Sequence, residues 1–341
     1  MTGAAEYYRP LVQTGPGRPA GGLALAGGWG WFTHLEVLAR GRIPTVIPMT
    51  EAPADVIERL AAPRSDIGGL SMAAPRVMGI LNATPDSFSD GGLHAAAADA
   101  VRAGQVMRDA GVDLLDVGGE STRPGAETVA IDAEIGRVVP VISGLRRAGV
   151  KTLVSVDTRK AAVAQAALKA GAGLINDVSG FTYDAALTPL AAQQNVPVCV
   201  MHALGDPATM QVDPQYDNVL LDVYDFLERQ IDTLVALGIA RNRIIADPGI
   251  GFGKTLEHNL TILARLGLFH SLGVPVLLGA SRKRFVGTIS QTDQADARVS
   301  GSLGVALAAL SHGVQILRVH DVPQTVQAIA LWRAAMAGRQ V

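Results

Sequence analysis

Two aspartates each close a short apolar run, Asp157 in Ser155-Val156-Asp157-Thr158 and Asp247 in Ala246-Asp247-Pro248-Gly249, and Asn176 does the same in Ile175-Asn176-Asp177. Gathered in one pocket, such groups could bind the donor edge of a heterocycle, because an aminopyrimidine presents several N–H groups that acceptors satisfy in pairs. The cations stand elsewhere, with Lys283 in Ser281-Arg282-Lys283-Arg284 and Arg318 in Arg318-Val319-His320. Lys283, Arg318 and His320 suit an anion such as a phosphate. Asn82, which ends the run Val77–Leu81, could give one oxygen to Mg²⁺, an ion that takes few protein ligands and otherwise keeps water and substrate oxygens. Plainer readings stand beside these. Asp157, followed by Thr158, also fits a helix N-cap. Arg282 and Arg284 fit a solvated basic turn, and His202 after Met201 fits a structural histidine as well as a catalytic one.

One glycine-rich segment invites a nucleotide-binding reading and fails it. Gly249-Ile250-Gly251-Phe252-Gly253-Lys254-Thr255 would be a P-loop only with a glycine five places before the last one, where Pro248 stands. Its glycines fall at every second residue, which is not the dinucleotide fingerprint either.

The elements that must position these groups alternate regularly. Apolar runs at Val77–Asn82, Leu114–Val117, Thr152–Asp157, Leu174–Asn176, Val196–Met201, Arg243–Asp247, Val274–Leu278 and Gln315–Val319 read as strands. Helical patterns cover Ala95–Ala110, Ile131–Ala148, Lys160–Ala170, Ala185–Gln194, Val219–Leu237, Leu256–Leu266, Ala295–Leu310 and Val322–Ala335. A doubly wound open sheet alternates in the same way. Eight strand and helix pairs in so short a stretch fit a (β/α)8 TIM barrel better, in which all the polar strand ends meet at one mouth. Barrels of this kind commonly build a phosphate site from the loops after the last two strands, where Lys283 and Arg318 fall.

The chain has 341 residues, 48% of them hydrophobic and 18% charged, enough for one large barrel and an extension. A net charge of -2 gives no general attraction to nucleic acid or to anionic membranes, so an anionic ligand must be held by local cations. The single cysteine, Cys199, excludes an internal disulfide. The run Ala20–Phe32 is short and glycine-rich; no signal peptide and no span are expected, hence a cytoplasmic protein. Residues 1–75 lack the alternation and concentrate Tyr7, Tyr8, Trp29, Trp31 and Phe32. They are expected to form a small N-terminal extension on the barrel or on a partner subunit, with residues 76–341 as the catalytic barrel.

At this point the segments Met78–Gly92 and Asp116–Gly125, followed by Ser155–Thr158, Ile175–Gly180, Val200–His202, Asp247–Lys254, Ser281–Lys283 and Arg318–Val322, closely resemble the signature segments of bacterial dihydropteroate synthases in the family's order. The resemblance covers residues 77 to 340. It implies condensation of 6-hydroxymethyl-7,8-dihydropterin diphosphate with para-aminobenzoate, giving 7,8-dihydropteroate and pyrophosphate for folate synthesis. Carried over by position, Asp157, Asn176, Asp247 and Lys283 would hold the pterin, with Met201 and Phe252 near its ring. Asp157 and Lys283 would be its catalytic groups. Thr122, Arg318 and His320 would meet the diphosphate with Asn82 and Mg²⁺, and Val319 belongs to the same segment. Thr122, Arg123, Pro124, Phe252 and Ser281 would line the aminobenzoate site, with Thr84–Gly92 as its lid. A homodimer is a further family expectation. Ala83 departs from the valine many members carry, and the extension departs from the family's common form. A methyltetrahydrofolate-binding methyltransferase domain or an inactive pterin-binding paralogue would lack part of this set.

Overall fold

The computed structural model describes residues 5–83, 92–121, 125–205 and 209–340. Five short strands and a helix come first: β1 (Glu6–Pro10), β2 (Leu23–Ala24), β3 (Trp31–Phe32), β4 (His34–Ala39), β5 (Thr45–Pro48) and α1 (Ala54–Ala61). Then come β6 (Arg76–Asn82), α2 (Gly92–Asp109), β7 (Leu114–Gly118), α3 (Ile131–Arg147), β8 (Leu153–Asp157), α4 (Ala161–Ala170), β9 (Leu174–Asp177), α5 (Leu187–Gln194) and β10 (Val198–Met201). The chain finishes with α6 (Val219–Ala236), β11 (Ile244–Asp247), α7 (Leu256–Leu263), β12 (Leu277–Leu278), α8 (Arg284–Ser290), α9 (Val299–Ser311), β13 (Ile316–Val319) and α10 (Val322–Ala337).

β6 to β13 form an eight-stranded parallel sheet in the order β11-β10-β9-β8-β7-β6-β13-β12. The two ends of that order meet where Ala246 of β11 bridges Val276 just before β12, which closes the TIM barrel. The seventh strand is shorter than the apolar run Val274–Leu278 suggests. Pro275 has no N–H for the ladder, and its carbonyl alone accepts from the Ala246 N–H at 2.9 Å. Where the basic residues Arg282 and Arg284 suggest a turn, a short helix, α8, begins at Arg284.

A strand's side chains alternate between faces, and this parity places the functional residues. One face of each strand packs against the helices: Val77 and Leu81, Leu115 and Val117, Val154 and Val156, Val198 and Val200, Leu317 and Val319. The other face fills the barrel. Its lowest layer, Met78, Leu114, Leu174, Cys199, Ile245, Leu277 and Ile316 with Leu153, is wholly apolar. Two residues further along each strand the same parity brings Ile80, Asp116, Ser155, Asn176, Met201, Asp247, Gly279 and Arg318. One more step up β6 and β8 reaches Asn82 and Asp157. The interior therefore changes from hydrocarbon to ionisable groups within one residue pair, about 7 Å of strand.

Residues 5–75 are not irregular: β1, β4 and β5 make an antiparallel sheet and β2 pairs with β3. Leu25, Phe32, Leu35, Val56 and Leu60 give these elements a small core of their own. The unit docks through Tyr7, edge-on to Tyr224 at 5.4 Å, through the Trp29 indole N–H on the Leu310 carbonyl at 2.9 Å, and through Arg40 on Asp222 and Asp225 of α6 at 2.6 and 2.7 Å. Its last segment goes further. Ile67 and Met72 are fully buried in the lowest barrel layer and close the barrel floor. Ile67→Ala is expected to cost about 2–5 kcal/mol, as for other fully buried aliphatic side chains. Equilibrium denaturation measures this, and a loss below about 1 kcal/mol would mean that the floor collapses around the gap.

Candidate active site

At the carboxyl ends of the strands Arg318 is the central charge. Its Nε donates to Asp116 Oδ2 at 2.6 Å and its Nη2 to Asp157 Oδ2 at 2.7 Å. Asn176 Nδ2 donates to the same Asp116 oxygen at 3.0 Å. The other Asp116 oxygen is buried with no partner among the described residues. Burial pushes the Asp157 carboxyl up, to about 7; the Arg318 guanidinium opposes this, while the Asp116, Asp177 and Glu134 carboxylates add to it. Burial disfavours the charge of Arg318, but Asp116 and Asp157 outweigh it and hold the guanidinium protonated.

Asp247 ends β11, two strands around the barrel from Arg318, its Oδ1 accepting from the Gly249 N–H at 2.8 Å. Burial raises its pKa, opposed by that hydrogen bond and by Lys283 and Arg318. Lys283 Nζ donates to the Ile250 carbonyl and lies 4.2 Å from the centre of the Phe252 ring. Burial brings its ammonium down to about 7, with Asp247 acting to raise it. The Ser281 hydroxyl meets both the backbone N–H and Nδ1 of His320, at 3.2 and 3.1 Å. Met201 is buried on the inward face of β10. Val319 has the opposite parity from Arg318 and packs into the core between barrel and helices. Asn82 is half-buried at the end of β6, beside Gly118 of β7. The structure thus gathers Asp157, Asn176, Met201, Asp247, Phe252, Ser281, Lys283, Arg318 and His320 around one mouth. Thr122, Arg123 and Pro124, and all of the expected lid Thr84–Gly92 except Gly92, the first residue of α2, lie outside the described residues.

Arranged this way, the mouth interleaves acceptors with cations, Arg318 between Asp116 and Asp157 and Lys283 near Asp247. Residues 78–320 match the model of the pterin binding enzyme family. The dihydropteroate synthase of Escherichia coli K12 is 44% identical over 271 residues, which is 80% of this chain and 95% of that one. The solved structure of Xanthomonas albilineans dihydropteroate synthase with 4-aminobenzoic acid is similar with a TM-score of 0.76 at 45% identity, covering 81% of this chain and 98% of that one. The same enzyme in complex with 7,8-dihydropteroate gives 0.72 at 42% identity, covering 81% and 99%. The chain belongs to the dihydropteroate synthase family.

Membership makes it a transferase, and the resemblance read from its motifs holds across the barrel. Two features of this family member escaped sequence reasoning. Asp116 opens one of the signature segments but carries no assigned role there, although it is the one charged residue in the run Leu114-Leu115-Asp116-Val117, and a fully buried carboxylate amid apolar neighbours is itself a signal that a cation must reach it. The second is an ionic lattice behind the mouth: Lys160 Nζ donates to Glu120 and Glu134, both at 2.6 Å, and to the Val129 carbonyl at 2.7 Å. Glu120 also accepts from Arg159 Nε at 3.0 Å and from the Val129 N–H at 2.7 Å. This lattice holds Glu120, Thr128 and Val129 in place. Of the basic turn, Arg282 is engaged with Asp321, Nε to Oδ2 at 3.0 Å, while Arg284 is exposed. Among the described residues no helix is long and apolar enough to cross a membrane.

Proposed function

We propose that the protein condenses 6-hydroxymethyl-7,8-dihydropterin diphosphate with para-aminobenzoate, and that the observation carrying this is the convergence of Asp157, Asn176, Asp247 and Lys283 with the Asp116–Arg318 pair in one barrel mouth. The acceptors Asp157, Asp247 and Asn176 hold the N–H edge of the pterin, and Lys283 donates to its oxygen. The bond between the pterin's exocyclic CH₂ and the diphosphate oxygen breaks, its electron pair leaving with pyrophosphate. The aminobenzoate nitrogen bonds to that carbon and gives up one proton. Positive charge that develops on the CH₂ is stabilised by the Asp157 carboxylate, and Arg318 and His320 meet the leaving group. An aromatic amine is already nucleophilic, so positioning supplies much of the rate. Thr122, Arg123 and Pro124, with Ser281 and Phe252, complete the aminobenzoate side.

Among the described residues no group of three or more His, Cys, Asp or Glu could hold a metal. A lone carboxamide fits Mg²⁺ none the less, since the diphosphate and water would supply its other oxygens. Asn82 is that ligand in this reading, and the ion, when bound, would neutralise charge on the departing pyrophosphate. A homodimer is part of the same proposal, checked by sedimentation.

The test is incubation of the purified protein with the pterin diphosphate, Mg²⁺ and para-aminobenzoate, followed by assay for dihydropteroate. Product supports the reading, and a folded protein that makes none overturns it. The pH profile is a finer check. Asp157 must be ionised and Lys283 protonated, and both sit near 7. The free enzyme's kcat/KM is therefore expected to be bell-shaped around neutrality, falling in acid as Asp157 gains its proton and in alkali as Lys283 loses its own. Lys283→Arg should lower activity and abolish the alkaline limb, because arginine does not titrate there. A limb that persists in that variant belongs to another group.

A further inference from the structure

The loop Gly249–Gly253 forms the wall on which Asp247, Phe252 and Lys283 meet, yet little in its own sequence would keep it in one shape. Three of its five residues are glycines with φ of +67°, +80° and +62°. What fixes it is the pairing of its carbonyls. Gln211 Nε2 reaches the Gly251 oxygen at 2.6 Å and the Tyr216 hydroxyl the Gly253 oxygen at 2.7 Å, both from the outside. Lys283 takes the Ile250 oxygen. The remaining two, on Gly249 and Phe252, accept from Lys254 Nζ at 2.9 and 3.1 Å.

Lys254 is 3% exposed, and the groups it meets are carbonyls and an imidazole rather than a carboxylate. An ammonium has three N–H donors. The Gly249 and Phe252 oxygens and His202 Nδ1, at 2.8 Å, account for all three. His202 is buried as well, edge-on to Phe226 at 4.9 Å, and its backbone N–H donates to the Asp247 carbonyl at 3.0 Å. One ammonium thus joins the end of β10, the end of β11 and both ends of the glycine turn. The turn is further anchored to α7, where Asn259 Oδ1 accepts from the Gly251 N–H at 2.7 Å and Thr255 caps the helix.

We propose that Lys254 is a positioning residue for the transfer reaction: by drawing Gly249, Phe252 and His202 onto one buried ammonium, it sets the loop so that the Ile250 carbonyl and the Phe252 ring hold Lys283 beside Asp247. The inference rests on the pterin reading of the mouth. Burial and the nearby Lys283 charge both disfavour an ammonium at this position, and Asp247 favours it.

Lys254→Met keeps the length and removes every donor. Its dissociation constant for the pterin diphosphate is expected to rise at least tenfold, and KM for that substrate to rise with it. The comparator is Arg64→Met in the extension. Arg64 is also buried and also donates to three carbonyls, those of Arg59, Ala62 and His270, but far from the mouth. Arg64→Met should lower the melting temperature while changing pterin affinity less than twofold. Pterin affinity unchanged within twofold in Lys254→Met, or lowered equally in both variants, overturns the proposal. If Lys254→Met does not fold, Lys254→Gln, which keeps two donors, is measured in its place: a rise of threefold or more in the constant supports the role, and no rise overturns it. Wild-type protein that neither binds the pterin diphosphate nor turns over would instead refute the reading of the mouth.

Discussion

Arg318→Met is expected to abolish measurable turnover and to destabilise the fold by about 3–5 kcal/mol, the usual cost of removing one partner of a buried ion pair. The substitution leaves the Asp116 and Asp157 carboxylates facing the same space with no cation between them, and Asp116 is fully buried. Asp157, whose pKa burial already raises to about 7, loses the cation that opposes this rise, so its folded pKa climbs further above that of the unfolded chain. The folded variant then holds more protons than the unfolded one between the ordinary carboxylate range and the raised value, and stability must fall as pH rises through that window. The penalty should therefore be small near pH 4 and largest at neutrality, measured as the denaturation midpoint at each pH. Adding Asp116→Asn removes one of the two stranded charges. The double variant should recover at least half of the stability and none of the activity, because Asp157 still lacks its partner and the diphosphate its cation. A penalty independent of pH would mean that Arg318 acts by packing alone.

Much of this mouth could be read from spacing because strand parity is rigid. Asp157, Asn176, Asp247 and Arg318 each close an apolar run, and runs of that length in regular alternation with helices leave few architectures open. The barrel mouth follows directly from that pattern. What could not be read depends on contacts between strands distant in sequence. Arg318, near the end of the last strand, reads from sequence as a phosphate ligand; its engagement with Asp116 and Asp157 comes from the barrel bringing the ends of β7, β8 and β13 together and has no local trace. The extension hid for a different reason. Its strands have two to six residues in antiparallel pairs and give no period long enough to stand out. The barrel floor hid more completely, since Ile67 and Met72 sit in a glycine-containing stretch resembling a linker and become core only when the strands close around them. Lys254 has the weakest trace of all, because nothing in a lysine that follows a glycine-rich run shows which carbonyls those glycines turn inward.

That same turn supplies the second large effect. Gly249 has φ +67°, and a Cβ built on it would lie 1.8 Å from the His202 carbonyl oxygen and 2.9 Å from the carbonyl carbon. Backbone on both sides has no far end that can swing away, and His202 is held in place by its hydrogen bond to Asp247 and by Lys254. Gly249→Ala must therefore move either β10 or the loop. A loss of about 4 kcal/mol or more is expected, in the range reserved for a backbone conflict in the core. Gly251 provides the contrast. Its φ is +80°, so alanine there is also strained, by about 1–2 kcal/mol. Its new Cβ, however, would meet the Lys283 side chain, with Cδ at 3.1 Å, and a lysine stem can bend. Gly251→Ala should keep most of the stability and lose pterin affinity, as the ammonium is pushed from its place beside Asp247. The two alanines, two residues apart in one loop, are thus expected to separate stability from binding, with denaturant midpoints reporting the first and calorimetric titration the second. Equal midpoints would show that the His202 carbonyl yields, and with it the rigid wall on which the placement of Lys283 depends.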